Sequence, residues 1–352
     1  MARKENRRNN KEFASNAEKE SQADADLSSE EESSGEKYEA LKEPEEMNLQ
    51  MESIYKIREE IQLEWPSLTV CMGEEDGKIL IEQTDEKNCS QIVELQASLG
   101  SKSSNSVRKS AAVHTPSQVN RIRASNGKVY AITDRSLHVY DSQLKPIINR
   151  EINGGYGLST YKTSLFYGDG NEVVLQANIE NSSLEKFSVD GSCIYSVAGV
   201  SENEVFAATQ SLDLVDFRCK DSKRYLTLPV DINSIAYNGE NLILAGDDEG
   251  ALRLIDMRNE QILEEIRFHQ SPISHVQFSS NEIFASASSC EVVIWDMAYE
   301  ETEEWEYHKY LSFVHQGQSY YKDFEFISDD VIIATSKNGL CIFSPQLEIQ
   351  SE

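Results

Sequence analysis

The sequence predicts an all-β fold, a seven-bladed β-propeller entered by a single N-terminal α-helix. Three observations predict it. Strand-like runs ending around an aspartate repeat: SLDLVDFR (Ser211–Arg218), ALRLIDMR (Ala251–Arg258) and EVVIWDM (Glu291–Met297), with Asp216, Asp256 and Asp296 spaced by 40 residues each time. An earlier strand and a small-residue strand precede such runs, as in DINSIAY (Asp231–Tyr237) with LILAG (Leu242–Gly246), and PISHVQF (Pro272–Phe278) with IFASAS (Ile283–Ser288). Finally, Leu63–Pro345 spans 283 residues, close to seven units of about 40. A four-stranded unit cannot bury both of its faces alone. Neighbours arranged around an axis cover those faces, and ring closure leaves only short, protected edges.

Taken in order, Met1–Glu46 is poor in large apolar residues and rich in Ser, Glu and Lys, so burial cannot offset the entropy of ordering and a disordered tail is predicted. Arg3, Lys4, Arg7, Arg8 and Lys11 form a loose basic cluster of the nuclear-import kind, and Ser28, Ser29 and Ser33 each have a glutamate three residues on, as acidophilic kinases require. A plain solvated tail accounts for both features equally well. In Met47–Gln62, Ile54, Ile57 and Ile61 recur at i, i+3 and i+7 with Glu52, Glu59 and Glu60 between them, the pattern of an amphipathic helix that Pro66 then stops. The propeller is assigned to residues 63–347, followed by a short tail, 348–352. Six units are visible from Val119 onward, one of them weak because Asp141 precedes Asp216 by 75 residues. A seventh is built from Leu68–Val70, Lys78–Glu82 and Gln91–Gln96, with a strand near Leu68 expected to close the ring against the C-terminal strands. Leu99–Gln118, rich in Ser and carrying Lys102, Arg108 and Lys109, reads as a mobile insertion.

Charge is the most informative part of the composition. Lys and Arg total 33 against 61 Asp and Glu, a formal −28, and Met1–Glu46 accounts for only −6 of it (8 basic, 14 acidic). The folding part therefore carries −22, which repels phosphate backbones and attracts polycations, so the expected partners are basic proteins and not nucleic acid. No run approaches 18 consecutive apolar residues, and Met1–Asn10 has no apolar stretch of the secretory kind, so neither membrane nor export is expected. Six scattered cysteines (Cys71, Cys89, Cys193, Cys219, Cys290, Cys341) form no C-x-x-C pair and read as reduced thiols buried in strands, which argues against structural zinc. Six dispersed histidines make no H-E-x-x-H or H-x-H pattern, Gly154–Gly157 is hairpin-like without G-x-G-x-x-G, and G-x-S-x-G is absent. No catalytic residue, metal or cofactor is expected, and the chain reads as a binding protein.

A predicted helix followed by LEWPSLTV (Leu63–Val70) ahead of a propeller resembles the histone-binding WD-repeat superfamily. VNRIRA (Val119–Ala124) is similar to that group's first central strand. FVHQGQ (Phe313–Gln318), with IIATSKNGLCIF (Ile332–Phe343), is similar to the final blade of its glutamate-rich branch, whose members assist large-subunit ribosome assembly. The resemblance covers roughly Met47–Pro345. It implies a seven-bladed WD-repeat propeller in the nucleus or nucleolus, monomeric within a larger complex, chaperoning a basic ribosomal protein or, in the other branch, histones. The sequence departs from the pattern in retaining a single Trp-Asp pair, Trp295-Asp296, in lacking Gly-His dipeptides, and in being shorter.

The resemblance also implies a binding groove. In histone-binding members an acidic loop after this Trp-Asp strand and the N-terminal helix together hold a basic helical peptide. Here that loop is YEETEEWEY (Tyr299–Tyr307), with Glu300, Glu301, Glu303, Glu304 and Glu306 around Trp305, and Ile54 and Tyr55 stand for the helix. A solvated acidic loop is the plainer explanation. Asp247, Asp248 and Glu249 form a second acidic candidate, a rim for an extended basic client, although acidic residues before Gly250 also suit a tight turn for backbone reasons alone. Asp216-Phe217-Arg218 and Asp256-Met257-Arg258 resemble the D-x-R ends of propellers that dock substrates onto cullin ubiquitin ligases, and are equally frequent as structural salt bridges.

Overall fold

The computed structural model describes residues 54–98, 106–177, 183–298 and 308–346. These form seven four-stranded antiparallel sheets. After β1 (Tyr55–Ile61), the first sheet comprises β2 (Val70–Met72), β3 (Lys78–Thr84), β4 (Ser90–Ser98) and β5 (Ser106–Thr115). The second holds β6 (Val119–Ser125), β7 (Lys128–Thr133), β8 (Ser136–Asp141) and β9 (Pro146–Glu151). The third holds β10 (Leu158–Tyr161), β11 (Ser164–Asp169), β12 (Glu172–Gln176) and β13 (Glu185–Ser188). The fourth holds β14 (Ser196–Gly199), β15 (Glu204–Ala208), β16 (Ser211–Asp216) and β17 (Asp221–Thr227). The fifth holds β18 (Ile232–Tyr237), β19 (Leu242–Asp247), β20 (Ala251–Asp256) and β21 (Gln261–Arg267). The sixth holds β22 (His275–Phe278), β23 (Ile283–Ala287), β24 (Val292–Asp296) and β25 (Leu311–His315). In the seventh, β26 (Asp323–Ser328), β27 (Val331–Ser336) and β28 (Gly339–Pro345) are completed by β1.

The ring therefore closes through Tyr55–Ile61, which pairs antiparallel with β28 from Tyr55↔Pro345 to Ile61↔Leu340. This corrects the helix expected over Met47–Gln62: its residues from Tyr55 to Ile61 are a strand, and Met47–Ser53 lie outside the described residues. The physical reason is that β28 is buried along its whole length and needs an outer partner for its backbone groups. The segment near Leu68 does not close the ring; Val70–Met72 is the innermost strand of the first sheet. The insertion expected over Leu99–Gln118 is corrected as well, since Ser106–Thr115 pairs with β4, while residues 99–105 lie outside the described residues.

The core lies between the sheets. Alternate residues of one strand serve opposite neighbours: Ile79 and Ile81 pack with Ile333, Leu340 and Ile342 of the seventh sheet, whereas Leu80 packs with Val119, Ile122 and Ala131 of the second. The strand period of two thus places each apolar set in one inter-sheet layer or the next. Around the axis, the innermost strands are tied by a repeated bond in which a backbone N–H donates to a side-chain oxygen of the preceding sheet. Val70 N–H donates to Asp323 (3.2 Å), Ile122 to Thr69 (3.3 Å), Gly199 to Ser159 (3.1 Å), Ile235 to Ser196 (3.2 Å), Val276 to Ser234 (3.1 Å) and Phe326 to Gln277 (3.3 Å). At the remaining junction Asn120 Nδ2 donates to the Gly155 carbonyl (2.8 Å).

The periodic aspartates have a local cause. At the end of the third strand of a sheet, Asp216, Asp256 and Asp296 accept the backbone N–H two residues on, at 2.9 Å in each case, which fixes the turn leaving that strand. In the sixth sheet Trp295, fully buried, donates to Ser286 Oγ (2.8 Å). Ser286 meets His269 Nε2 (2.7 Å), and His269 Nδ1 meets Glu291 (2.7 Å), to which Ser288 Oγ also donates (2.6 Å). The His269 contact, the largest influence, holds the Glu291 carboxyl below its ordinary range. This chain of bonds ties two strands, the turn between them and an entering loop to the one retained Trp-Asp pair. All six cysteines are free, but the expected burial holds fully only for Cys71 and Cys341; Cys193 is half-buried, and Cys89, Cys219 and Cys290 are exposed because they sit in turns between strands.

Candidate functional site

The axis of the ring is a channel divided into two chambers. Arg121 on β6 borders both of them. One chamber, of about 420 Å³, is lined by residues at the starts of the inner strands and the loops leading to them, including Tyr156, Tyr195, Asn233, Pro272 and Asp323. The other, of about 300 Å³, lies toward the strand ends, with Arg123, Ser159, Ser196, Gln277 and Glu325 among its walls.

Between the chambers, Arg121 Nη1 lies 3.4 Å from His275 Nδ1, and His275 Nε2 lies 3.4 Å from Asp323 Oδ1. Burial pushes the His275 imidazole down to about 3, so it is neutral at physiological pH. The geometry then suits a proton on Nε2 facing Asp323, leaving Nδ1 to accept from Arg121 and Ser234. Asp323 is fully committed: Thr69 Oγ1 (2.6 Å) and Val70 N–H donate to Oδ2, and Phe324 N–H (3.1 Å) to Oδ1. Burial opposes its ionisation, but His275, the two guanidiniums and the Thr69 hydroxyl outweigh that and keep its carboxyl below the usual range. Burial instead raises Glu325 to about 7, against the pull of Arg123 and the Met72 N–H.

The rim of the larger chamber combines tyrosines with carboxylates. Tyr156 and Tyr195 have ring centroids 6.1 Å apart, Tyr156 is exposed, and burial, with the Asp231 carboxylate nearby, raises the Tyr195 hydroxyl to about 12. Asp248, beside them in the fifth sheet, is held by its N–H to the Asp231 carbonyl (3.0 Å) and by Asn233 Nδ2 at its carboxylate (3.2 Å). Asp248 and Glu249 are both exposed. Tyr320, exposed on the seventh sheet, lies under the Lys337 ammonium at 5.6 Å.

No protein-family model and no curated protein matches the sequence. Solved structures do. The structure of U3-55K aligns with a TM-score of 0.68 at 14% identity, covering 81% of this chain and 97% of that one, and the crystal structure of the RRP9 WD40 repeats aligns with the same score and identity over 81% and 96%. The chain has the WD40 propeller fold. At this identity the likeness carries the fold and nothing finer.

In this WD40 propeller the predicted site residues fall in three groups. Glu300, Glu301, Glu303, Glu304, Trp305 and Glu306 lie outside the described residues. The strands flanking them, β24 ending at Asp296 and β25 beginning at Leu311, meet them at the end of the sheet opposite the turn that holds Asp248 and Glu249. Ile54 is exposed, but Tyr55 is not a surface anchor: it is buried, donates to or accepts from His315 Nδ1 at 2.9 Å, and packs edge-on against Phe313. Asp247 is likewise buried, because its Oδ1 accepts the N–H groups of Glu249 (3.0 Å) and Ala251 (2.9 Å) and its Oδ2 pairs with buried Arg253. Gly250 completes that turn at φ +84, where an added Cβ would stand 2.7 Å from the Ser271 carbonyl oxygen. The structural explanation therefore accounts for Asp247 and leaves Asp248 and Glu249 facing solvent. Arg218 and Arg258 fold back onto Asp216 (2.9 Å) and Asp256 (3.3 Å), the structural role of the D-x-R ends. Sequence reasoning missed the Arg121–His275–Asp323 cluster, whose members belong to three separate repeats with no linking motif.

Proposed function

We propose that this protein is a non-catalytic binding protein that chaperones a basic client, a large-subunit ribosomal protein during ribosome assembly, in the nucleus and nucleolus. The observation that carries the proposal is the rim of the larger chamber, where exposed Asp248, bonded to Asp231 and Asn233, lies near the Tyr156–Tyr195 pair with exposed Glu249 next to it in the turn, on a fold whose chain outside the tail has a formal −22. Carboxylates beside tyrosine faces suit lysine and arginine side chains, which gain both charge pairing and cation–π contact. The tail and the LEWPSLTV and FVHQGQ segments supply the resemblance that selects a ribosomal protein over other polycations. The mechanism is charge masking. Attraction speeds encounter, aromatic contacts hold the client, and competing nucleic acid releases it.

Affinity purification after ribonuclease treatment tests the class. A basic ribosomal protein is the expected partner. Recovery of core histones supports the other branch of the resemblance, and a cullin linker overturns both. Affinity for the purified client is expected to fall steeply between low and physiological salt, and a salt-independent affinity would refute charge masking.

Two variants divide the surface. Reversing Asp248 and Glu249 to lysine is expected to weaken binding by roughly tenfold or more with no change in melting temperature, since exposed charges add little stability. The Glu301, Glu303, Glu304 reversal to lysine, with Trp305→Ala beside it, tests the second acidic segment, and Trp305→Ala should weaken binding even at low salt because apolar contact is not screened. If the first variant binds normally and the second does not, the client lies on the opposite face.

A further inference from the structure

The channel holds guanidinium donors that the client reading does not use. Arg121 and Arg123 both border the 300 Å³ chamber. Their bonds go to neutral atoms, Arg121 Nη1 to His275 and Arg123 Nη1 to the Ile122 carbonyl (2.7 Å), and among the described residues neither forms an ion pair. Arg121 Nε is buried and has no hydrogen-bond partner among the described residues. Burial, with Arg123 close by, lowers the Arg121 guanidinium to about 10, so it keeps its charge at neutral pH. The nearest negative group, Asp323, is already bonded by Thr69, Val70 and Phe324, and Glu325 is poised near neutrality by burial. Asp323 supplies a counter-charge at longer range but no bond to either guanidinium, and a buried Nε with an idle donor is costly in a protein interior.

The chamber wall supplies neutral donors as well. Ser159 Oγ accepts the Gly199 N–H and Ser196 Oγ accepts the Ile235 N–H. Each hydroxyl therefore keeps its own proton to give, and among the described residues neither gives it to a protein acceptor. Donors of both kinds thus border one small cavity in a chain whose overall charge would exclude anions from its surface.

We propose that this chamber is a binding site for a small oxyanion, a phosphate or carboxylate group, held by the Arg121 Nε, Arg123 and the Ser159 and Ser196 hydroxyls. The oxyanion is planar or tetrahedral with several acceptor oxygens, which matches a guanidinium edge flanked by hydroxyls. The site lies in the other chamber from the client rim, shares only Arg121 with the larger chamber, and does not rest on that reading.

The test uses the full chain at constant ionic strength. Inorganic phosphate and pyrophosphate form one calorimetric titration series, and acetate and succinate form the other. At least one class is expected to bind with one-to-one stoichiometry and to raise the melting temperature, and the class that binds identifies the source of the oxyanion. Arg121→Gln should weaken that binding roughly tenfold or more, as loss of a charge-assisted bond does. Should that variant fold poorly, Ser159→Ala and Ser196→Ala together carry the test, with circular dichroism confirming the fold. Absence of binding by both classes, or binding unaltered in the arginine and serine variants alike, would overturn the site.

Discussion

Deleting residues 1–62 is expected to abolish the single cooperative unfolding transition, whereas deleting residues 1–41 leaves it nearly intact. The first deletion removes β1, the outer strand of the seventh sheet. Every residue of β28 is buried, so its backbone donors and acceptors would face water along an apolar edge. Tyr55 leaves the layer it shares with Phe313, His315 and Phe343, and Ile57 and Ile61 leave the layer between the first and seventh sheets. At about 1.5–3 kcal/mol for each large side chain, losses on the order of 5 kcal/mol stand against a net stability of about 5–15 kcal/mol. Calorimetry of the two truncations side by side checks this, and a sharp, native-like transition in the 1–62 deletion would show that the ring closes without β1.

Trp295→Ala is expected to cost about 3–5 kcal/mol, a melting temperature lower by roughly 10 °C, with Trp295→Phe costing about 1 kcal/mol. The indole is fully buried, stacked on Phe284 at 6.1 Å and met edge-on by Phe268 at 5.5 Å and His308 at 5.6 Å. Truncation opens a cavity and takes a donor from Ser286, which His269 also contacts, so both the apolar layer and the bonded chain to Glu291 lose a member. Phenylalanine keeps most of the volume and forfeits only the hydrogen bond. Equal destabilisation by the two variants would mean that the bonded chain, and not the packing, dominates.

The legible parts of the fold are those where local pattern and ring position demand the same thing. LILAG and IFASAS sit at the second strand of the fifth and sixth sheets, as their small residues and repeat spacing indicate. Tyr55–Ile61 misled because isoleucines at 54, 57 and 61 satisfy a helical period while Tyr55, Ile57 and Ile61 also satisfy alternation. A partner 279 residues away, Leu340 opposite Ile61 at one end of the ladder, then decided between them through tertiary pairing. Ser106–Thr115 misled for a different reason: as an outer strand it only half-buries Val107, Ala111 and Val113 and fully buries only Thr115 among its described side chains, so its composition is that of a loop. Of the acidic turn, the backbone role of Asp247 was readable from Gly250, but the separation of a buried first carboxylate from two exposed ones was not. The channel cluster was invisible, because Arg121, His275 and Asp323 meet only when the ring brings distant strands to one axis.

The links around that axis bear on how such a chain can drift in sequence and keep its shape. At six of the seven junctions the donor is a main-chain amide, at Val70, Ile122, Gly199, Ile235, Val276 or Phe326, which any residue except proline provides. The acceptor is satisfied by serine, threonine, glutamine or aspartate alike in this one chain. Selection on the ring is therefore permissive about identity and strict about two things, an oxygen within reach on one side and a free amide on the other. A chain obeying only those terms can differ at most of its residues and keep its outline, in keeping with 14% identity beside a TM-score of 0.68 against U3-55K. In such a fold proline at those six amides, and not the loss of any repeat signature, marks the boundary of what the architecture tolerates.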